Sequence, residues 1–241
     1  MRLTFWFTFI LAAGLSLSAN AETPADDALS IYGVNVTKGL PFHLPFIGYG
    51  IYLGRGKVIT AAHVVGDWPA FTNPHVLVAG LSLPVEVLKI GSLDTTDLAL
   101  LSVDETQLPI NLRLRRNPIC ERPLQVGANV IVVYPQRTVA TRIVSPLLIA
   151  PQYRSKFGPL IAEEQGSGSG VFDAERKCLL GIISRKVQKY SFRNQNGRAT
   201  KIDADYAGIF VSASTIAKFL RSNSAFRQAP IIQLRQTNNA D

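Results

Sequence analysis

Gln165-Gly166-Ser167-Gly168-Ser169-Gly170-Val171-Phe172-Asp173 is the stretch on which the reading of this 241-residue chain turns. Taken alone, alternating glycine and serine is the composition of a flexible linker. Here it runs straight into Val171-Phe172 and then into Leu179-Leu180-Gly181-Ile182-Ile183-Ser184, so it lies inside a domain. Glycines on both sides of a serine let the backbone turn sharply, expose the hydroxyl and aim amide N–H groups at one point. An oxyanion site requires that arrangement. The G-x-S-x-G nucleophile elbow does not fit, because the central residue of 166–170 is Gly168 and no strand–helix alternation surrounds it.

Working outward, short runs of branched and aromatic residues recur at 57–65, 75–78, 84–90, 98–103, 129–134, 140–150, 178–187 and 209–211. Glycine, proline, asparagine and aspartate punctuate them. Strands at this density, with no helical repeats between them, predict an all-β sandwich or barrels. One helix is expected, at 214–222, with Ser212 or Ser214 as its cap and Ile216, Phe219 and Leu220 on one face. The polar segment 223–241 reads as a tail.

Two further fragments carry chemistry. In Val58-Ile59-Thr60-Ala61-Ala62-His63-Val64-Val65, His63 ends a β-like run and can emerge into a cleft, although a lone histidine there is more often structural. His43 and His75 have no comparable setting. In Asp94-Thr95-Thr96-Asp97-Leu98-Ala99-Leu100-Leu101, Asp97 stands directly before an apolar strand and is half buried by its neighbours. Such an acid needs a partner, and a histidine N–H suits it; an isolated aspartate would sooner bond its own turn.

Residues 1–21 read as a secretory signal: Arg2 is the positive start, 5–17 is mostly apolar, and Ala19-Asn20-Ala21 is a small-x-small cleavage site. Its brevity points to a bacterial export signal, hence to the periplasm or the medium, with no membrane span after its removal. In an oxidising compartment Cys120 and Cys178 are expected to form one disulfide, the alternative being two buried free thiols. With three histidines and two cysteines, no zinc site of usual spacing can be assembled, and no metal is expected. The net charge of +8 concentrates at 113–116 and 185–201, the latter read as a long hairpin loop. Without aromatic interleaving or a reader motif, nucleic acid is not an expected partner.

Together, Thr-Ala-Ala-His63, Asp97-Leu-Ala-Leu-Leu and Gly166-Ser167-Gly168-Ser169-Gly170-Val171-Phe172-Asp173 resemble, in the order His, Asp, Ser, the trypsin-like (chymotrypsin-fold) serine endopeptidases. The intervals 63 to 97 and 97 to 167 suit the compact bacterial exported members, and the likeness runs from about 34 to 220. It implies two six-stranded antiparallel β-barrels packed together, with a short C-terminal helix. The domain plan is then a signal at 1–21, the protease domain at 22–222 and a tail at 223–241. It also implies a catalytic His63, Asp97 and Ser167, an oxyanion hole from the amides around Gln165, Gly166 and Ser167, and a substrate-binding strand at Ser184, Arg185 and Lys186. The partner would be a polypeptide substrate, with no cofactor. The family has Gly-Asp-Ser-Gly or Gly-Asn-Ser-Gly where this chain has Gln165-Gly166-Ser167-Gly168. That departure supports a second reading, a catalytically weak or inactive protein of this fold that binds extended polypeptide by strand addition. Gly166 also stands where many animal members carry the aspartate that pairs with a freed amino terminus, so no activating cleavage beyond signal removal is expected.

Overall fold

The computed structural model describes residues 27–39, 46–66, 69, 73–121, 125–145, 147, 157–161, 166–195 and 198–221. The first half comprises α1 (Asp27–Ser30), β1 (Gly33–Lys38), β2 (Phe46–Gly54), β3 (Lys57–Thr60), α2 (Ala62–Val65), β4 (His75–Val78), β5 (Leu81–Pro84), β6 (Glu86–Ile90) and β7 (Ala99–Ser102). A 3-10 turn at Glu105–Gln107 and α3 (Ile110–Arg113) lead to the second half. That half holds β8 (Asn129–Tyr134), β9 (Arg137–Ile143), β10 (Phe157–Ile161), β11 (Gly170–Asp173), β12 (Leu179–Gln195), β13 (Arg198–Ser212) and α4 (Ala213–Arg221).

The first seven strands form one antiparallel sheet in the order β5-β4-β1-β2-β3-β7-β6. Its two end strands, β5 and β6, are separated in the chain by Val85 alone. A single residue spans at most about 3.5 Å, so the sheet must curl until its ends meet. Counted as one strand bent at Val85, β5 and β6 bring the first half to the expected six. The second half is a closed barrel, β10-β13-β12-β11-β8-β9. The double barrel is thus the architecture the sequence led us to expect.

The strands are apolar on both faces, and the packing shows why. Tyr52, Val58, Ala99 and Leu101 fill the first barrel, while their chain neighbours Ile51, Ile59, Leu98 and Leu100 point the other way. These meet Ile131, Val133, Phe172, Ile182, Ile209 and Val211 of the second barrel in one shared core, which α4 joins through Ile216, Phe219 and Leu220. Val130, Val132, Val171, Leu180 and Phe210 line the second interior. Period-two alternation therefore sorts residues between two buried layers rather than between core and water.

The loop at 166–170 is clamped against the first barrel. Tyr49 N donates to the Ser167 carbonyl (2.9 Å), and Gly168 N donates to Ile183 O (2.7 Å). Gly168 lies at φ +91°, and a Cβ there would run into the Tyr49 carbonyl oxygen. On the far side, Cys120 is bonded to Cys178 at a sequence separation of 58, with Cα atoms 5.2 Å apart. Reciprocal bonds from Cys120 N to Leu179 O (2.9 Å) and Leu179 N to Pro118 O (2.8 Å) hold the same two segments together.

Two local expectations are corrected. The run 57–65 is not one strand: it ends at Thr60, and Ala62–Val65 forms a helical turn. Burial of Ala62, Val64 and Val65 stabilises that turn where β-propensity alone favoured extension. The basic segment 185–201 is not a loop. It belongs to β12 and β13, whose backbones pair from Arg185↔Ile209 out to Gln195↔Arg198. The helix expected at 214–222 is α4, and the Ser212 hydroxyl bonds those of Ser214 (3.0 Å) and Thr215 (3.2 Å) at its start. Residues 1–21 and 223–241 lie outside the described residues, as does His43.

Gly168→Ala combines a left-handed backbone with a backbone clash and should cost at least about 3 kcal/mol in urea denaturation. Gly127 has a similar φ of +84° but open space around it. Gly127→Ala should cost only about 1 kcal/mol, the conformational penalty by itself. Replacing both cysteines by alanine should remove about 4 kcal/mol of stability through the opened loop, and thiol titration of the unfolded native protein should find no free thiol.

Candidate active site

His63 is delivered by α2. Ala62, Val64 and Val65 are buried, which leaves His63 as the residue of the turn that faces outward, its side chain 28% exposed. The turn closes through Val64 N to Ala61 O (3.1 Å) and Gly66 N to Ala62 O (2.9 Å). Lys38 Nζ, reaching across from β1, donates to the His63 carbonyl (3.0 Å). The sequence reading missed Lys38, since nothing in the text of β1 points at a histidine far along the chain.

Asp97 is fully buried at the end of a tight loop, with φ +42°. The N–H groups of Thr95, Thr96 and Asp97 all converge on the Ser92 carbonyl, at 3.1, 3.1 and 2.8 Å. Aspartate tolerates the left-handed region better than most residues, and the bend turns its carboxyl inward. His63 Nδ1 lies 3.0 Å from Oδ1 and 3.1 Å from Oδ2, and the His63 backbone N–H donates to Oδ1 (3.2 Å). Ser184 Oγ donates to Oδ2. A carboxylate only accepts, so the imidazole proton of this pair sits on Nδ1 and the Nε2 lone pair is left for other work.

Ser184 occupies the register shift between Ile183 and Arg185 in β12 and is itself buried. While its hydroxyl holds Asp97, its carbonyl accepts from Ser167 Oγ (3.1 Å). Ser167 is half-buried, and no hydrogen bond joins its hydroxyl to His63. Among the described residues no acceptor takes the Ser167 N–H. Ser169 differs: it is fully buried, its carbonyl accepts from Ile183 N (2.8 Å), and its hydroxyl has no partner.

Gly166 lies against the ring of Tyr49, which would overlap any Cβ at that position. That ring packs edge-on to Tyr134, with centroids 5.5 Å apart. Burial pushes the Tyr134 hydroxyl up to about 12, so it brings no charge to the loop. Tyr49 was not identified from the sequence, since its role depends on the barrels meeting. Arg185 Nη2 donates to Leu93 O (3.1 Å) on the loop that carries Asp97, and Lys186 is exposed. Gln165 lies outside the described residues. Among the described residues, no three His, Cys, Asp or Glu side chains gather in a way that would hold a metal ion, and no helix is long and apolar enough to cross a membrane.

His63, Asp97, Ser167 and Ser184 therefore meet at the seam between the barrels, with the first two from one half and the last two from the other. No family model matches the sequence, and no curated protein matches it either. Solved structures do. The Rv3671c protease from M. tuberculosis in its active form is similar at a TM-score of 0.57 and 20% identity, covering 82% of each chain. Its inactive form is similar at 0.55 and 20%, covering 82% of this chain and 91% of that one. Kallikrein-related peptidase 10 in complex with Zn2+ is similar at 0.57 and 15%, covering 80% of this chain and 94% of that one. At these identities the likeness is one of architecture: the chain has the double β-barrel fold of the trypsin-like, chymotrypsin-fold serine proteases.

Proposed function

We propose that the chain is an exported serine endopeptidase that cleaves peptide bonds through His63, Asp97 and Ser167. The observation that carries this reading is the pairing of a buried Asp97 with His63 Nδ1, beside a half-buried serine held on the same Ser184. In the mechanism, rotation of the Ser167 side chain brings its hydroxyl from the Ser184 carbonyl to His63 Nε2. The imidazole takes the proton as Oγ attacks the peptide carbonyl carbon. Asp97 accepts from Nδ1 and stabilises the imidazolium. The Ser167 N–H would stabilise the developing oxyanion, with the amides of Gly166 and Gln165 as the further donors that the resemblance implies. His63 then gives its proton to the departing amine, leaving an acyl-enzyme that water hydrolyses by the same steps. Ser184, Arg185 and Lys186 form the strand along which the substrate lies. Residues 1–21 are the export signal, 22–222 the catalytic domain and 223–241 a tail, with the periplasm or medium as destination.

A second reading, binding of extended polypeptide with little or no turnover, draws on the resting bond of Ser167 to Ser184 and on Gln165-Gly166 in place of the family's Gly-Asp or Gly-Asn. A fluorophosphonate probe separates the two, because only an activated serine labels quickly. Under the enzyme reading, Ser167→Ala abolishes labelling and Ser169→Ala, whose hydroxyl is buried, keeps most of it. Asp97→Asn should lower peptide hydrolysis by roughly 10⁴-fold by allowing the wrong imidazole tautomer. Wild-type protein that never labels, or labelling that survives Ser167→Ala, would sink the proposal. Activity should also appear with signal removal alone: Gly166 has no carboxylate to pair with a freed amino terminus, and the Tyr49 ring fills the space beside it. Amino-terminal sequencing of active protein checks this, and an obligatory second cleavage would contradict it.

A further inference from the structure

The segment that links the two barrels leaves two aliphatic side chains in water. Ile110 is 59% exposed and Leu114 75% exposed. Leu114 N donates to Ile110 O (3.1 Å), so the two residues stand one helical turn apart on the same side. Together they offer apolar area on one side of the turn that an adjoining apolar layer could bury.

Cations surround this apolar tip. Arg113, Arg115 and Arg116 flank Leu114 in the chain, and Arg115 and Arg116 are exposed. Arg55 is exposed at the β2–β3 turn, next to Gly54, where a Cβ would stand 2.6 Å from the Arg115 carbonyl and 2.7 Å from Arg116 Cδ. The two segments therefore touch; Arg113 Nε is buried and Arg115 Cζ lies 5.7 Å from the Tyr32 ring centroid, so the exposed cations of this tip are Arg55, Arg115 and Arg116. Arg116 Nη1 donates back to the carbonyls of Arg113 (2.5 Å) and Arg115 (2.6 Å), which closes the turn with Leu114 at its outer side. Of the carboxylates at the adjoining 3-10 turn, Asp104 is occupied by Thr106 and Gln107, and Glu105 lies beside Gly56 at the Arg55 turn, which leaves the arginines of this tip in excess.

We propose that this tip docks the protein on an anionic phospholipid surface. Ile110 and Leu114 would enter the acyl boundary, while the exposed Arg55, Arg115 and Arg116 reach the lipid phosphates. Guanidinium groups suit phosphate oxygens, and long cationic side chains hold their charge at headgroup level while their stems lie in the apolar layer. Charge complementarity selects this occupant. A nucleic acid would gain nothing from two aliphatic tips without an aromatic stacking surface. A protein partner of ordinary affinity would need a far larger patch than two side chains supply.

Co-sedimentation with vesicles of phosphatidylcholine, with or without 30% phosphatidylglycerol, tests the proposal. Wild-type protein should bind the anionic vesicles at least tenfold better than the neutral ones, and lose at least about fivefold when salt rises from 0.1 M to 0.5 M. Leu114→Asp and the double variant Arg115→Glu/Arg116→Glu should each lower binding about tenfold or more. All proteins compared carry the same amino terminus, so the difference reads this patch alone. Soluble-peptide hydrolysis, where wild type shows it, should be unchanged in both variants, so docking and catalysis fail separately. Unaltered melting temperatures exclude unfolding as the cause of any loss. Equal binding to neutral and anionic vesicles, no binding by wild type, or full binding by Leu114→Asp would overturn the proposal.

Discussion

A carboxylate with no contact with solvent sets the terms for the seam between the barrels. Asp97 contributes two acceptor oxygens to the interior, and an unpaired charge there would be strongly destabilising. Its donors come from separate elements: the imidazole and backbone N–H of His63 on α2, and the hydroxyl of Ser184 on β12. Two of these donors belong to the first half of the chain and one to the second. Satisfying one buried acid therefore fixes the barrels relative to each other as well as the ring of His63. Ser184 transmits the constraint, because its hydroxyl meets Asp97 while its carbonyl meets Ser167. The register shift at Ser184 is consistent with this double duty, since a bulge re-aims a side chain that a regular strand would direct elsewhere.

Packing enforces the same arrangement over a larger area. Because the strands around the seam are buried on both faces, neither barrel has a polar wall to present to water where they meet, and neither would be covered without the other. The glycine-rich loop is the thin point of that contact. Tyr49 fills the space beside Gly166, and its backbone brackets Ser167 and Gly168. Small residues here serve close approach as much as backbone freedom. Directly before Ser167, the space a side chain at Gly166 would take is filled by the Tyr49 ring of the opposite barrel.

Charge is distributed differently from the apolar surface. One basic stretch lies on the paired strands β12 and β13, where the ladder satisfies the backbone. The other caps the inter-barrel link, where exposed arginines surround exposed aliphatic tips. The stretch on β12 begins at Arg185, beside Ser184, and its guanidinium bonds the Leu93 carbonyl on the loop that carries Asp97.

Much of this was legible in the chain itself. The density of apolar runs broken by turn residues dictated an all-β fold, because period-two burial with short connections admits few other solutions. Residue chemistry alone left His63, Asp97 and Ser167 as weak candidates, and it was their order and spacing, which resemble those of the trypsin-like serine endopeptidases, that made them the expected triad. Other features were not legible. The helical turn at Ala62–Val65 reads as strand by propensity and becomes helix because burying three of its four residues outweighs that weak preference. The hairpin 185–201 reads as loop because its asparagines and Gly197 mimic a turn, while cross-strand pairing is a property of two segments. Lys38, Tyr49 and the second role of Ser184 are invisible in one dimension for the same reason. Local sequence determines what each residue can do and which periodicity it follows, whereas the partner of a buried group is chosen by whichever distant segment the closed barrels bring within hydrogen-bonding distance.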